Sequence, residues 1–367
     1  MNKNGMLYSK MLWAISLIAV FFFFMRCNSK DLEFIQPYQF IVADFEDTPN
    51  LEEVIEEEPE VEEAVEATVV VPEAPSAIIN DLENAESDED VDRESVEVLT
   101  KVTDFVETEV EDEEKQAAVS TAVDNITEES VEEFLQEDAE VDEDILAVAI
   151  GAAESVDLGD LFPDLDLPDL PDDVDLGEEG RFEFDAISEI EFDLEQFRVN
   201  TLVGPCADAA RNAFDVALSN LNTQRDNNLN TVTQNFNRRV TDANDRLTSR
   251  NQVALTNFRN GLRGLNEFIV SNLRAASSIE RFNPRLARNL RNFTVLYMHY
   301  FRFILDRQYR FNLESIQRQR NIEVANAQVL RNNSISSINA SYNAAVTSLN
   351  NTLSNALNNC HNQGTGN

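Results

Sequence analysis

The chain has 367 residues, with 69 acids against 28 bases, two histidines, three cysteines and a formal net charge of −41. Two imidazoles, His299 and His361, argue against a histidine-ligated metal site or a Ser-His-Asp triad. Residues 198–367 hold 20 arginines, no lysine and 10 acids, so the first 197 hold the remaining 8 bases and 59 acids, a net of −51 ahead of a net of +10. Asymmetry of that kind reads as a polyelectrolyte segment joined to a folded part.

In chain order, Lys3 and Lys10 precede an uncharged apolar run from Leu12 to Met25. The run is short of the roughly 20 apolar residues that span a bilayer and suits the hydrophobic region of a signal peptide. Cys27 and Ser29 stand at the −3 and −1 positions of a cleavage before Lys30, which sets residues 1–29 apart. The alternatives are an uncleaved signal-anchor and, more weakly, a lipoprotein anchored at Cys27. Cleavage leaves Cys206 and Cys360, an even pair that invites a disulfide in an oxidising compartment. Asn125, Asn292, Asn332, Asn339 and Asn350 each begin an Asn-x-Ser/Thr acceptor pattern, in keeping with a secreted, extracellular chain.

Residues 30–156 alternate acids with valine, isoleucine and alanine, and high charge with few aromatics predicts disorder. Within them, stretches such as Glu128–Asp144 could form transient helix, with Val131, Phe134 and Leu135 on one side. Residues 157–197 have a second texture, with leucines alternating with aspartates and then Phe182, Phe184, Phe192 and Phe197 among acids. Such a segment can dock onto a basic groove or helix. Asp164-Leu-Asp166-Leu-Pro168 fails the calcium-loop pattern, because Pro168 stands where an oxygen ligand belongs. Divalent cations are therefore expected on the acidic tract only as weak, diffuse counter-ions, and no cofactor is expected.

From Ala209 to Arg274 the chain divides into six blocks of eleven. Position two reads Ala210, Leu221, Val232, Ala243, Ala254, Leu265; position six Phe214, Arg225, Phe236, Leu247, Phe258, Ile269; position ten Leu218, Leu229, Val240, Asn251, Leu262, Leu273. Steps of 4, 4 and 3 keep this stripe on one face of a nearly straight helix. Asn283-Pro284 predicts a turn and restart, with Asn283 as cap and Pro284 at the first helical position. Helical spacing then resumes toward Cys360, less regularly over 317–331, where a break is conceivable.

Cys206 and Cys360 lie equally far from Asn283. The fold class expected is all-α, a long antiparallel helical hairpin with arms 206–282 and 284–360 in residues 198–367, coiled-coil-like, after a disordered acidic region. Each arm would be about 115 Å long if unbroken. A disulfide at its open end stabilises by roughly 4–5 kcal/mol in the chain-entropy model. Folding back at Asn283 places residues whose numbers add to 566 opposite one another, so Gly261 faces Leu305 and Gly264 faces Arg302. The stretch from Phe293 to Phe303, with Tyr297, Tyr300 and Phe301, is apolar nearly all round, which one partner helix cannot satisfy. It calls for a third layer, from self-association, a folded-back segment (Arg181–Phe197 being nearest) or a membrane surface.

Two functional readings follow. The first is a secreted, non-enzymatic structural or interaction protein, a basic rod whose acidic tail supports self-association or binding of another secreted protein. The alternative is lipid or membrane-surface binding through the amphipathic helices and the aromatic stretch 293–305. Nucleic acid is not expected, because a covalently attached −51 segment would compete with phosphate. The acidic tract, with the helical cysteine region that begins Cys206-Ala-Asp-Ala-Ala-Arg211, resembles secreted insect proteins of the TsetseEP-domain type. That resemblance implies secretion and no defined chemistry.

Overall fold

A computed structural model describes residues 45, 48–174 and 204–361. The signal peptide expected over residues 1–29 and the Arg181–Phe197 segment lie outside the described residues. The element order is β1 (Thr68–Val70), α1 (Ala74–Asn84), α2 (Arg93–Asp104) continued by a π turn (Phe105–Glu109), α3 (Glu113–Asn125), α4 (Glu128–Phe134) and α5 (Glu143–Glu154). A 3₁₀ turn (Gly159–Leu161), β2 (Asp164–Asp166), α6 (Pro205–Ile279) and α7 (Pro284–His361) complete it.

The architecture is all-α, built on the antiparallel hairpin of α6 and α7. Their turn forms as the sequence dictates: the Asn283 carboxamide oxygen accepts from the Leu286 amide at 3.0 Å and caps α7, with Pro284 at its first position. No break occurs over 317–331, where α7 is continuous. All six residues at position two of the eleven-residue beat are buried. Of its two polar exceptions, Arg225 lies over the Tyr342 ring at 4.9 Å. Asn251 leaves a buried carboxamide oxygen without a hydrogen-bond partner, and nothing in the structure explains it.

The chain divides into two compact units, each containing a section of both long helices. The first comprises Met1–Val54, Ala186–Thr231 and Ile335–Asn367. Its core includes Phe45, Phe214, Leu221, Val346, Leu349 and Leu357. Cys206 and Cys360 are disulfide-bonded there, with Cα atoms 5.9 Å apart.

The second unit comprises Ile55–Asp185 and Val232–Ser334. Its section of the hairpin keeps the expected register, with the Phe258 and Tyr309 rings stacked at 5.0 Å and Phe268 against Tyr297 at 4.9 Å. Around this section pack α1–α5, which differ from the expectation of disorder for residues 30–156. Leu82, Leu99, Val102, Val119, Val123, Val131, Val148 and Ala149 are buried in one core with Phe293, Leu296 and Tyr297. Composition misleads here for two reasons. Helices of 7–13 residues are marginal alone, and these draw their apolar partner from α7. Many acids also serve as structure: Asp92, Asp112 and Asp142 accept main-chain amides as N-caps of α2, α3 and α5. The segment 157–174 is ordered too, and β2 pairs antiparallel with β1, Val69 opposite Leu165.

Two glycines of α6 test the hairpin register. A Cβ on Gly261 would stand 2.7 Å from Cδ2 and 3.2 Å from Cδ1 of Leu305, a buried side chain with little room to move. Gly264 is exposed, and a Cβ there meets nothing within 4 Å. Arg302, expected opposite it, turns to the acidic helices instead. Gly264→Ala is expected to stabilise by about 0.5–1 kcal/mol, the ordinary helix-propensity gain. Gly261→Ala is expected to destabilise by about 1 kcal/mol, because overpacking exceeds that gain. Paired urea melts measure both, and equal shifts would contradict the register.

Candidate functional site

The charged groups converge on an extended strap, residues 55–67, laid along the hairpin within the second unit. Asn235, Arg238 and Arg239 share one face of α6 through their i, i+3, i+4 spacing, and Ser334 comes from α7. Arg239 donates through Nη1 to Glu56 Oε2 at 2.6 Å, and through Nε and Nη2 to the two oxygens of Glu58 at 3.1 and 3.3 Å. Glu56 also accepts from Asn235 Nδ2 at 3.1 Å and from Ser334 Oγ at 2.7 Å. Arg238 pairs with Glu58 as well. In an extended chain residues i and i+2 point the same way, so Glu56 and Glu58 both reach Arg239.

Further along, Arg250 contacts Glu323 at 3.0 Å and Glu63 at 3.2 Å. The strap ends where Ala67 donates to Asn312 Oδ1 at 2.8 Å and accepts from Gln308 at 2.9 Å. Burial alone would raise the Glu56 carboxyl, but the Ser334 hydroxyl, Arg239 and Asn235 hold it below the usual glutamate range. The Arg239 guanidinium holds Glu58 low in the same way, against a weaker effect of burial.

A second cluster joins α4 to α7. Arg302 is 1% exposed and donates to the main-chain oxygens of Phe134 at 3.0 Å, Ala139 at 3.1 Å and Glu137 at 3.4 Å. It thereby satisfies carbonyls left open at the C-terminus of α4 and just beyond it, the end a cation suits. His299 is buried beside it, its ring 4.5 Å from Phe134, and burial pushes its pKa down. It is a packing residue.

The aromatic candidates are mostly inside. Phe293 and Tyr297 are buried and meet Phe162 at 6.2 and 6.1 Å, while Tyr300, Phe301 and Phe303 are half-buried. Of the sources expected for the third layer, a folded-back part of the chain supplies it here, α1–α5 and the segment through Phe162, and it covers the interaction candidates Phe293 and Tyr297. Among the acceptor asparagines, Asn125 and Asn332 are exposed and Asn339 is half-buried. Asn350 is only 9% exposed. Asn292 is buried and donates to Thr103 Oγ1 at 3.0 Å, so the folded chain leaves it no room for a glycan.

The first unit carries a groove of about 570 Å³ lined by Phe45, Thr48 and Asn50 and by α6 residues from Ala209 to Gln224. Among the described residues no group of three or more His, Cys, Asp or Glu is placed to hold a metal ion. No helix among them is long and apolar enough to cross a membrane.

The strap cluster is not among the residues singled out from sequence. Its signals are there: Glu56-Glu57-Glu58 is the chain's one glutamate triplet, and Arg238-Arg239 its one arginine doublet. Their pairing across 181 residues is what a single sequence does not reveal. No family model, curated protein or solved structure matches the chain.

Removing one member of a buried ion pair leaves the other charge uncompensated, at a cost of about 3 kcal/mol or more. Arg239 and Glu56 are such a pair, with side chains 6% and 2% exposed. Arg239→Gln is therefore expected to release the strap, and cleavage by a glutamyl endopeptidase within residues 52–63 should rise at least tenfold. Acid should do the same to the native chain. Carboxyls with depressed pKa values stabilise the docked state above the ordinary glutamate value, and that contribution is lost as pH falls through their folded values. Cleavage rates relative to the free peptide 51–67, taken with glutamyl endopeptidase at pH 7 and an acid protease at pH 3, that show the strap equally protected at both would contradict this.

Proposed function

We propose that the chain is a secreted, non-enzymatic structural or interaction protein. Its disulfide-stapled basic hairpin carries an acidic segment and engages other copies, or another secreted protein, through charge complementarity. The observation that carries this reading is the Arg239 cluster, where carboxylates from one segment are gathered by side chains of both long helices. A surface that holds an acidic peptide in this way has the chemistry to engage an acidic segment of a partner.

Other features support it. Arg259, Arg274 and Arg288 pair with Glu137, Glu128 and Asp124, so the arginines are engaged by the chain's own acids and phosphate would have to displace them. The burial of Phe293 and Tyr297 leaves the lipid-surface reading little apolar surface on which to rest. The acceptor asparagines left exposed, Asn125 and Asn332, are compatible with export.

Salt tests the reading. Each copy carries −41, so copies repel at low ionic strength, and association through short-range Arg–Glu contacts should grow as the repulsion is screened. Sedimentation velocity of the full chain at about 20 mM and about 300 mM salt is expected to show a larger associated fraction at the higher value. A single species with unchanged sedimentation at both would count against self-association.

A further inference from the structure

At Ile55 and Glu56 the strap is docked with its polarity inverted. Ile55 is 90% exposed, whereas the adjacent Glu56 side chain is 2% exposed. An apolar residue points to water and a carboxylate points in, the reverse of what burial of apolar area would select. Among the described residues, the main chain of residues 53–61 makes no hydrogen bond to α6 or α7. The hairpin holds this stretch through side chains, and at Arg239 through two carboxylates alone. Pro59 lacks an amide hydrogen and biases Glu58 toward extended backbone, so the stretch is pre-set for this use.

We infer that the Asn235–Arg239–Ser334 pocket is a receptor for an extended Glu-x-Glu peptide, and that its occupant in trans is the same Glu56–Glu58 segment of a second copy of this chain. The pocket reads two carboxylates spaced i, i+2 and nothing else of the strap, so a segment from another copy presents the same groups in the same geometry. Asn235, Arg239 and Ser334 saturate the Glu56 carboxylate with three donors, which makes the site directional and not a diffuse basic patch. The local copy holds the advantage of effective concentration. Exchange prevails when that copy is disabled or when protein is concentrated, and reciprocal exchange closes as a two-fold dimer. The inference rests on the self-association reading above and names its contact.

Complementation of two full-length variants tests it. In E56Q/E58Q the receptor is intact and the strap is blunted, while in R239Q the strap is intact and the receptor is lost. Each alone is expected to be monomeric under conditions where their equimolar mixture sediments as a one-to-one heterodimer. A labelled synthetic peptide of residues 51–67 should bind wild type weakly, E56Q/E58Q at least tenfold more tightly, and R239Q not at all. The wild-type and R239Q comparison does not depend on E56Q/E58Q folding. Equal peptide binding by all three chains overturns the inference, as does a monomeric mixture in which E56Q/E58Q keeps wild-type helicity by circular dichroism. If wild type then still associates with rising salt, the proposed function stands through another surface and only the exchange contact fails.

Discussion

The second unit depends on one constraint: the stretch of α7 from Phe293 to Phe303 is apolar nearly all round and must be covered on more than the face that meets α6. One face meets α6, where Phe268 packs on Tyr297. The remaining faces would stand in water without α1–α5, and an exposed patch of that size invites association. Phe162, Val102, Val123 and Val148 close it. Dependence runs both ways, since the short acidic helices lack a core of their own and use the hairpin as theirs. A helix apolar nearly all round and a set of amphipathic fragments thus solve each other's burial problem.

Acids take three distinct roles in this arrangement. At Asp92, Asp112 and Asp142 they cap helix N-termini, where the partial positive charge of open amides suits them. At Asp124, Glu128 and Glu137 they meet arginines on the hairpin surface, contacts worth little individually because both partners are largely exposed. Glu56 is different. Its carboxylate is withdrawn from water and saturated by Arg239, Asn235 and Ser334, and a group so placed costs several kcal/mol if its partner is removed. Arg302 inverts the pattern: a basic side chain inside, answered by the carbonyls that follow α4.

The hairpin was legible because its signals are local and repeated. Eleven-residue spacing, Asn283-Pro284 and the equal distances to Cys206 and Cys360 each point to the same register, and Gly261 against Leu305 follows from them. Gly264 against Arg302 does not follow, because the long arginine side chain is drawn to open carbonyls outside the hairpin. The folding of residues 74–161 was hidden for a physical reason. Average charge reports the cost of collapse for an isolated segment, and this segment collapses onto a partner some 200 residues away that supplies the missing apolar area. The strap site was hidden more deeply, since its Glu-x-Glu and its arginine doublet are ordinary until an extended segment is set in register on two helices.

Net charge then decides what kind of contact can join two copies. With 69 acids against 28 bases, most carboxylates have no basic partner to meet, and the net charge of −41 makes two copies repel. That repulsion is long-ranged and falls with salt over a Debye length of about 8–10 Å. The Glu56–Arg239 contact is short-ranged and shielded from water, so salt that removes the repulsion leaves the contact nearly intact. The same excess of acid works against diffuse attraction between copies. A contact between copies must therefore be specific, close and desolvated. Among the described residues the Glu56–Arg239 pocket meets all three requirements, and the chain already fills it with its own segment.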